Sequence, residues 1–158
     1  MTAIKIVRFL YLINYVFISS QLLFYMLILK DAMKLISIEN FMEQRRVVDL
    51  LAEDRLRFLY YSGLILSGVV LFFSGRKMAS PFFISAVIAS LCLLADLAVA
   101  IKGNIPLNAQ FNAYTAGADP SKWESLRSQW LTYIQWRGIC ILIGTGSLLM
   151  GLLATKGE

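Results

Sequence analysis

Asn104-Ile105-Pro106-Leu107-Asn108, answered further on by Trp123, Arg127, Trp130, Ile134 and Arg137, is the stretch on which the reading of this chain turns. The first group follows an apolar run and carries two amides and a proline. The second is spaced +4, +3, +4 and +3, which places all five side chains on one face of a helix. That helix leads without a breaker into another apolar run, Thr132 to Ala154. Amides, indoles and guanidiniums thus converge where a chain leaves a membrane and re-enters it.

The apolar runs on either side supply the architecture. Ile6 to Leu29 is about 24 mostly apolar positions, and about 20 suffice to cross the hydrocarbon core. The run is too long for the core of a signal peptide and shows no small-residue cleavage site, so it reads as a span. Arg57 to Gly75 and Phe82 to Ile101 form two more, joined by the short basic turn Gly75-Arg76-Lys77-Met78-Ala79-Ser80-Pro81. The fold expected is all-α: an integral membrane four-helix bundle with spans at about 6–29, 57–75, 82–101 and 132–154. Two extramembrane helical excursions, about 30–57 and 103–131, share one side, and the whole is a single domain of 158 residues.

Composition agrees. The chain is 58% hydrophobic and 16% charged, against about half and a quarter for a soluble domain. The net charge of +5 is scattered, with no dense cationic tract, so the bilayer rather than nucleic acid is the expected partner. Histidine is absent, which removes histidine-ligated haem, histidine-bound zinc and histidine general bases from this chain. Cys92 and Cys140 lie far apart in apolar runs and read as small buried hydrophobes. No cofactor and no metal site is expected.

Polar residues inside the runs mark the inward faces. Asn14 and Gln21 sit two turns apart on span one, with Tyr25 beyond them. Asp96, the only acid within a span, needs a partner, a proton or a watery cavity, because an aspartate at mid-helix costs about 2.5–3.5 kcal/mol. In the first excursion Arg45–Asp49 and Glu53–Arg57 are i,i+4 pairs, read as part of a solvated face. Tyr60 and Tyr61 read as interfacial aromatics. Asp119-Pro120 reads as a helix start. Lys5, Arg8, Arg76, Lys77 and Lys156 lie on the side of the termini; the other side holds more basic residues in total, spread over long segments that also carry acids, so it is the first helix and the tight Arg76-Lys77 turn that favour cytoplasmic termini.

Asn104, Pro106 and Asn108 after span three, with Trp123, Trp130 and Arg137 entering span four, resemble the anthrone-oxygenase-like family of small membrane proteins. The length and four-span layout agree, so the likeness covers nearly the whole chain. It implies a four-helix membrane bundle and, in the few members of known activity, cofactor-independent oxidation of polycyclic anthrones to anthraquinones by dioxygen. This chain has no histidine to assist substrate deprotonation.

Two functional expectations follow. In the first, Asn104, Asn108, Trp123, Arg127 and Trp130, with Asn14 and Gln21 as further walls, hold a flat lipophilic molecule. Arg137 would then steady an oxyanion, and Asp96 would accept a proton or pair with Arg137. In the second, these residues are interfacial anchors and caps, and the chain is a non-catalytic accessory or structural subunit bound to a membrane protein partner.

Overall fold

The computed structural model describes residues 3–113 and 120–155, and the described chain is helical throughout apart from short connections. Four long helices account for it: α1 Ala3–Leu35, α2 Ile38–Ser74, α3 Pro81–Asn112 and α4 Pro120–Ala154. All four are long and apolar enough to cross a membrane, the arrangement of a multi-pass integral membrane protein. The all-α four-helix expectation is met.

Local chemistry sets the helix ends. Ile36 turns extended after α1, and the Ser37 hydroxyl then accepts from the Asn40 amide at 3.3 Å to cap α2. Ser80 repeats the device for α3, accepting from the Phe83 amide at 3.2 Å, with Pro81 in the first turn where its missing N–H costs nothing. Proline likewise opens α4 at Pro120, whereas the expected Asp119 cap lies outside the described residues.

The excursions are the spans themselves, prolonged. Helices of 33, 37, 32 and 35 residues run about 50 Å, against a hydrocarbon thickness of about 30 Å. Residues 38–57 are the first half of α2, and Trp123 to Arg137 lies wholly within α4, as the unbroken periodicity predicts. Asn104 to Asn108 differs from expectation. The sequence reading ends the third apolar span at about residue 101 and sets Asn104 to Asn108 beyond it; instead α3 continues through Pro106 to Asn112. It does so by widening into a π segment, Ala100–Asn104, immediately before Pro106. Proline clashes with the carbonyl four residues back in a regular α-helix, and the wider turn relieves that clash. A second π segment, Tyr25–Leu29, interrupts α1 where its apolar run gives way to Lys30 and Asp31.

The bundle closes by close backbone approach. α3 lies along α4, while α1 packs into both α4 and α2. Gly138 of α4 receives the thioether of Met26, Gly144 receives the Tyr15 ring, and Gly103 in the α3 π segment receives the Tyr133 ring. A Cβ at any of these would overlap its neighbour. The core so formed runs from Tyr11, Tyr15 and Ile18 to Phe41, Phe111 and Trp130.

Candidate functional site

Asp96 is buried completely in the run of α3 that precedes its π segment. A lone carboxylate there would be very costly, and α4 supplies the compensation. Arg137 Nε donates to Asp96 Oδ1 at 2.7 Å, and Arg137 Nη2 donates to the Tyr60 hydroxyl of α2 at 2.9 Å. The guanidinium also lies 5.9 Å from the Tyr60 ring centroid. Three helices therefore meet at one ion pair. Asp96 Oδ2 makes no hydrogen bond within normal geometry among the described residues, and the Tyr60 hydroxyl, which accepts from Arg137, has its own hydrogen available to the carboxylate. Of the two roles expected for Asp96, the salt partner of Arg137 is the one seen in the geometry. Tyr60, expected to be an interfacial anchor, is 7% exposed and belongs to this cluster.

A second cluster gathers around Trp130, two turns closer to the start of α4. Asn108 Oδ1 accepts from the Trp130 indole at 2.8 Å and from Arg45 Nη1 at 2.7 Å. Arg45 also holds Asp49 through both terminal nitrogens, as the i,i+4 spacing predicts. It is not on a solvated face: only 2% is exposed, beneath the Phe111 and Trp130 rings. Asn104 Nδ2 donates to the Trp130 carbonyl at 3.2 Å, while its Oδ1 is buried without a partner among the described residues. Tyr25 and Phe41 meet the Trp130 ring edge-on, at 6.1 and 5.9 Å between centroids.

Arg127 serves a third structure. Its Nη1 donates to the carbonyls of Met33 at 2.9 Å and Ile36 at 2.8 Å, and Nη2 reaches the Lys34 carbonyl at 3.3 Å. These are carbonyls that the end of α1 leaves without helical donors, at the negative end of its dipole. Glu124, one turn back, fixes the guanidinium through both carboxylate oxygens at 2.7 and 2.6 Å. Trp123 is buried nearby, 6.5 Å from the Phe111 ring.

Asn14 and Gln21 lie apart from these clusters. Asn14 Nδ2 donates to the Leu59 carbonyl at 3.1 Å and to the Ser62 hydroxyl at 2.8 Å, joining α1 to α2. Its Oδ1 closes over Gly63 without a hydrogen-bond partner among the described residues. Gln21, two turns along α1, is half-buried.

The residues expected to share one site therefore fall into groups: Asp96 with Arg137, Asn104 and Asn108 with Trp130, Arg127 and Trp123 beyond them, and Asn14 on the α1–α2 seam. Trp130 itself is buried, at 5% exposure. The more open hollows lie elsewhere: a groove of about 580 Å³ beside Phe72, Met78 and Phe83 at the α2–α3 hairpin, and one of about 230 Å³ along Gln129, Tyr133 and Trp136. No group of three or more cysteine, aspartate or glutamate side chains among the described residues is placed to hold a metal ion, and Cys92 and Cys140 are free thiols. No protein-family model, no curated protein and no solved structure matches the chain. Its chemistry rests on its own residues. Of these, Tyr60 and Arg45 are the members that periodicity does not reveal, since each is drawn in by a helix distant in sequence.

Proposed function

We propose that this is a small multi-pass membrane protein that takes a lipophilic molecule at the Asp96, Arg137 and Tyr60 cluster. The observation that carries the reading is the Asp96–Arg137 ion pair, buried where three of the spanning helices meet. Ionisable groups within a span are costly, and such a pair there marks a functional site. Entry requires side chains to move aside. Met26, an unbranched side chain seated over Gly138 one residue from Arg137, is the adaptable one.

The reaction tied to this reading is cofactor-independent oxygenation, as the resemblance to the anthrone-oxygenase-like family implies. The substrate methylene loses both hydrogens and gains one oxygen atom from dioxygen, and the second oxygen atom leaves as water. Asp96 takes the methylene proton, and Arg137, held by Asp96 and Tyr60, is a preorganised cation for the enolate oxygen so formed. Purified protein should then accelerate oxygen consumption with an anthrone, and Arg137→Ala should lower the rate about 10²-fold or more while the helix content stays intact. Unchanged turnover in Arg137→Ala would remove the oxyanion role.

A second reading, an accessory subunit, has its own observation. Leu35 and Leu50, outside the apolar spans, are 87% and 84% exposed. Gentle detergent extraction should then bring out a stoichiometric partner, and a clean monomer counts against it.

A further inference from the structure

Helix α2 carries a face that its own chain leaves uncovered. Leu51, Phe58, Ile65 and Phe72 recur every seven residues, with Val47, Asp54, Tyr61 and Gly68 in step between them, and all are exposed. Alternate steps of +4 and +3 are the heptad pattern of a coiled coil. The buried face of α2, with Tyr60, Gly63, Ser67 and Val70, lies on the other side of the helix.

Lipid accounts for only part of this stripe. Within the bilayer, acyl chains cover Ile65 and Phe72 as well as a protein would. Helix α2 is far longer than the bilayer is thick, however, and its first half bears the charges of Glu43, Glu53, Asp54 and Arg55. There Val47, Leu50 and Leu51 are 55%, 84% and 58% exposed, beyond the reach of acyl chains. Gly68 adds to this. A Cβ on it would meet nothing within 4 Å, so it fits no neighbour in its own chain, and a bare backbone on an outer face lets a second helix come close.

The occupant that fits is a second copy of this chain. Copies inserted in one membrane have α2 running the same way, so two of them meet as parallel helices about an axis along the membrane normal. The charges suit that pairing. Asp54 lies in the stripe with its side chain 94% exposed, and Arg55 beside it is exposed with no ion pair among the described residues. In a parallel pair each Asp54 comes to lie against Arg55 of the second copy. The area is also sufficient. Phe58, Tyr61 and Phe72, at about 150–250 Å² apiece and 71%, 60% and 79% exposed, supply roughly half of the ~800 Å² per partner that a stable interface buries. We infer that two copies pair in parallel through this heptad face of α2, joined beyond the bilayer by the turns from Val47 to Phe58. The Asp96 cluster meets α2 at Tyr60, on the buried face, so the ligand reading stands or falls separately.

The test introduces one thiol at a time into the full chain and oxidises the membranes that hold it. Leu51→Cys, in the stripe, should give a disulfide-linked dimer of the chain about tenfold or more faster than Glu53→Cys, which is exposed but off the stripe. The parent chain, with Cys92 and Cys140 on α3 and α4, is the blank. In detergent, Leu51→Glu should raise the dissociation constant of the purified dimer about tenfold or more, with helix content unchanged because Leu51 is exposed in its own chain. Equal rates for the two thiol variants mean random collision and overturn the pairing. An adduct of Leu51→Cys with a different protein alone overturns it in favour of another partner, and no adduct at all overturns it in favour of lipid. A dimer that Leu51→Glu leaves undisturbed is joined through some other face, which overturns it as well.

Discussion

Removing the Arg137 guanidinium strands the Asp96 carboxylate in the bundle without its counter-charge. Removing Asp96 strands the cation. Each single change to an apolar residue, Asp96→Leu or Arg137→Met, should cost about 3–5 kcal/mol, whereas the double change should cost clearly less than their sum because no buried charge remains. Reversible unfolding in mixed micelles measures all three variants, and strictly additive losses would show that the pair does not act as a unit. Two glycines two residues apart, and so on different faces of α4, make a second comparison. Gly144→Ala drives a methyl into the Tyr15 ring, which cannot yield freely because its hydroxyl donates to the Ala89 carbonyl at 2.7 Å; a loss of about 1–3 kcal/mol follows. Gly146 has open space beside it, so Gly146→Ala should be neutral or stabilising by up to ~1 kcal/mol through helix propensity. The same unfolding measurement separates them. At this scale the sequence was legible where one helix face decided the matter: Arg45–Asp49 and the need of Asp96 for a partner. It was not legible for the burial of Arg45, which depends on Asn108, Phe111 and Trp130 arriving from other helices.

Single elements show the same division. Helix α4 was readable from end to end because Trp123 through Arg137 keeps one periodic face with no breaker. The π segments were not, since a one-residue widening leaves the hydropathy pattern unchanged, and Pro106 alone hinted that α3 had to adjust. Arg127 fastens α4 to the last turn of α1 through three carbonyls, a geometry that the planar, many-donor guanidinium suits and an ammonium does not. Arg127→Lys should therefore loosen the end of α1 selectively. Amide hydrogen exchange should rise across residues 30–40, around the kink at Ile36–Ser37, while the amides of α3 near Asp96 keep their protection. Unchanged exchange at the kink would show that the clasp carries no stability.

For the molecule as a whole, four spans set the start of α1 and the end of α4 on the side of the α2–α3 hairpin. Contacts at that end agree: Arg8 of α1 reaches the Ser74 hydroxyl of α2 at 3.3 Å and lies over the Phe82 ring of α3. Basic residues are more numerous on the opposite side, where they are spread among acids, so a cytoplasmic location of this end rests on the first helix and the compact Arg76-Lys77 turn alone. A reporter fused after the C-terminus should read cytoplasmic, and one inserted between Ile36 and Ser37 should read the opposite side. The reverse pattern would overturn the orientation and leave the span count untouched. Architecture on this scale was the most legible, because long apolar runs are a property of composition along the chain. The grouping of the polar residues was not, because periodicity assigns a residue to a face of its own helix and says nothing of which neighbour that face meets.

The two π segments also have a mechanical meaning. All four helices extend well beyond the thickness of a bilayer, but α2 and α4 do so as unbroken rods, while α1 and α3 each carry a widened turn where their apolar runs end. A rod transmits bending along its length, and a widened turn concentrates it in one place. Force on the outer end of the bundle, from lateral pressure of the bilayer or from a neighbour, is therefore borne stiffly by one pair of helices and taken up as local flexure by the other. Both points of flexure rest against α4, at Met26 on Gly138 and Gly103 on Tyr133, within a few residues of Arg137 on either side. Mechanical strain on the outer end would be focused beside the ion pair.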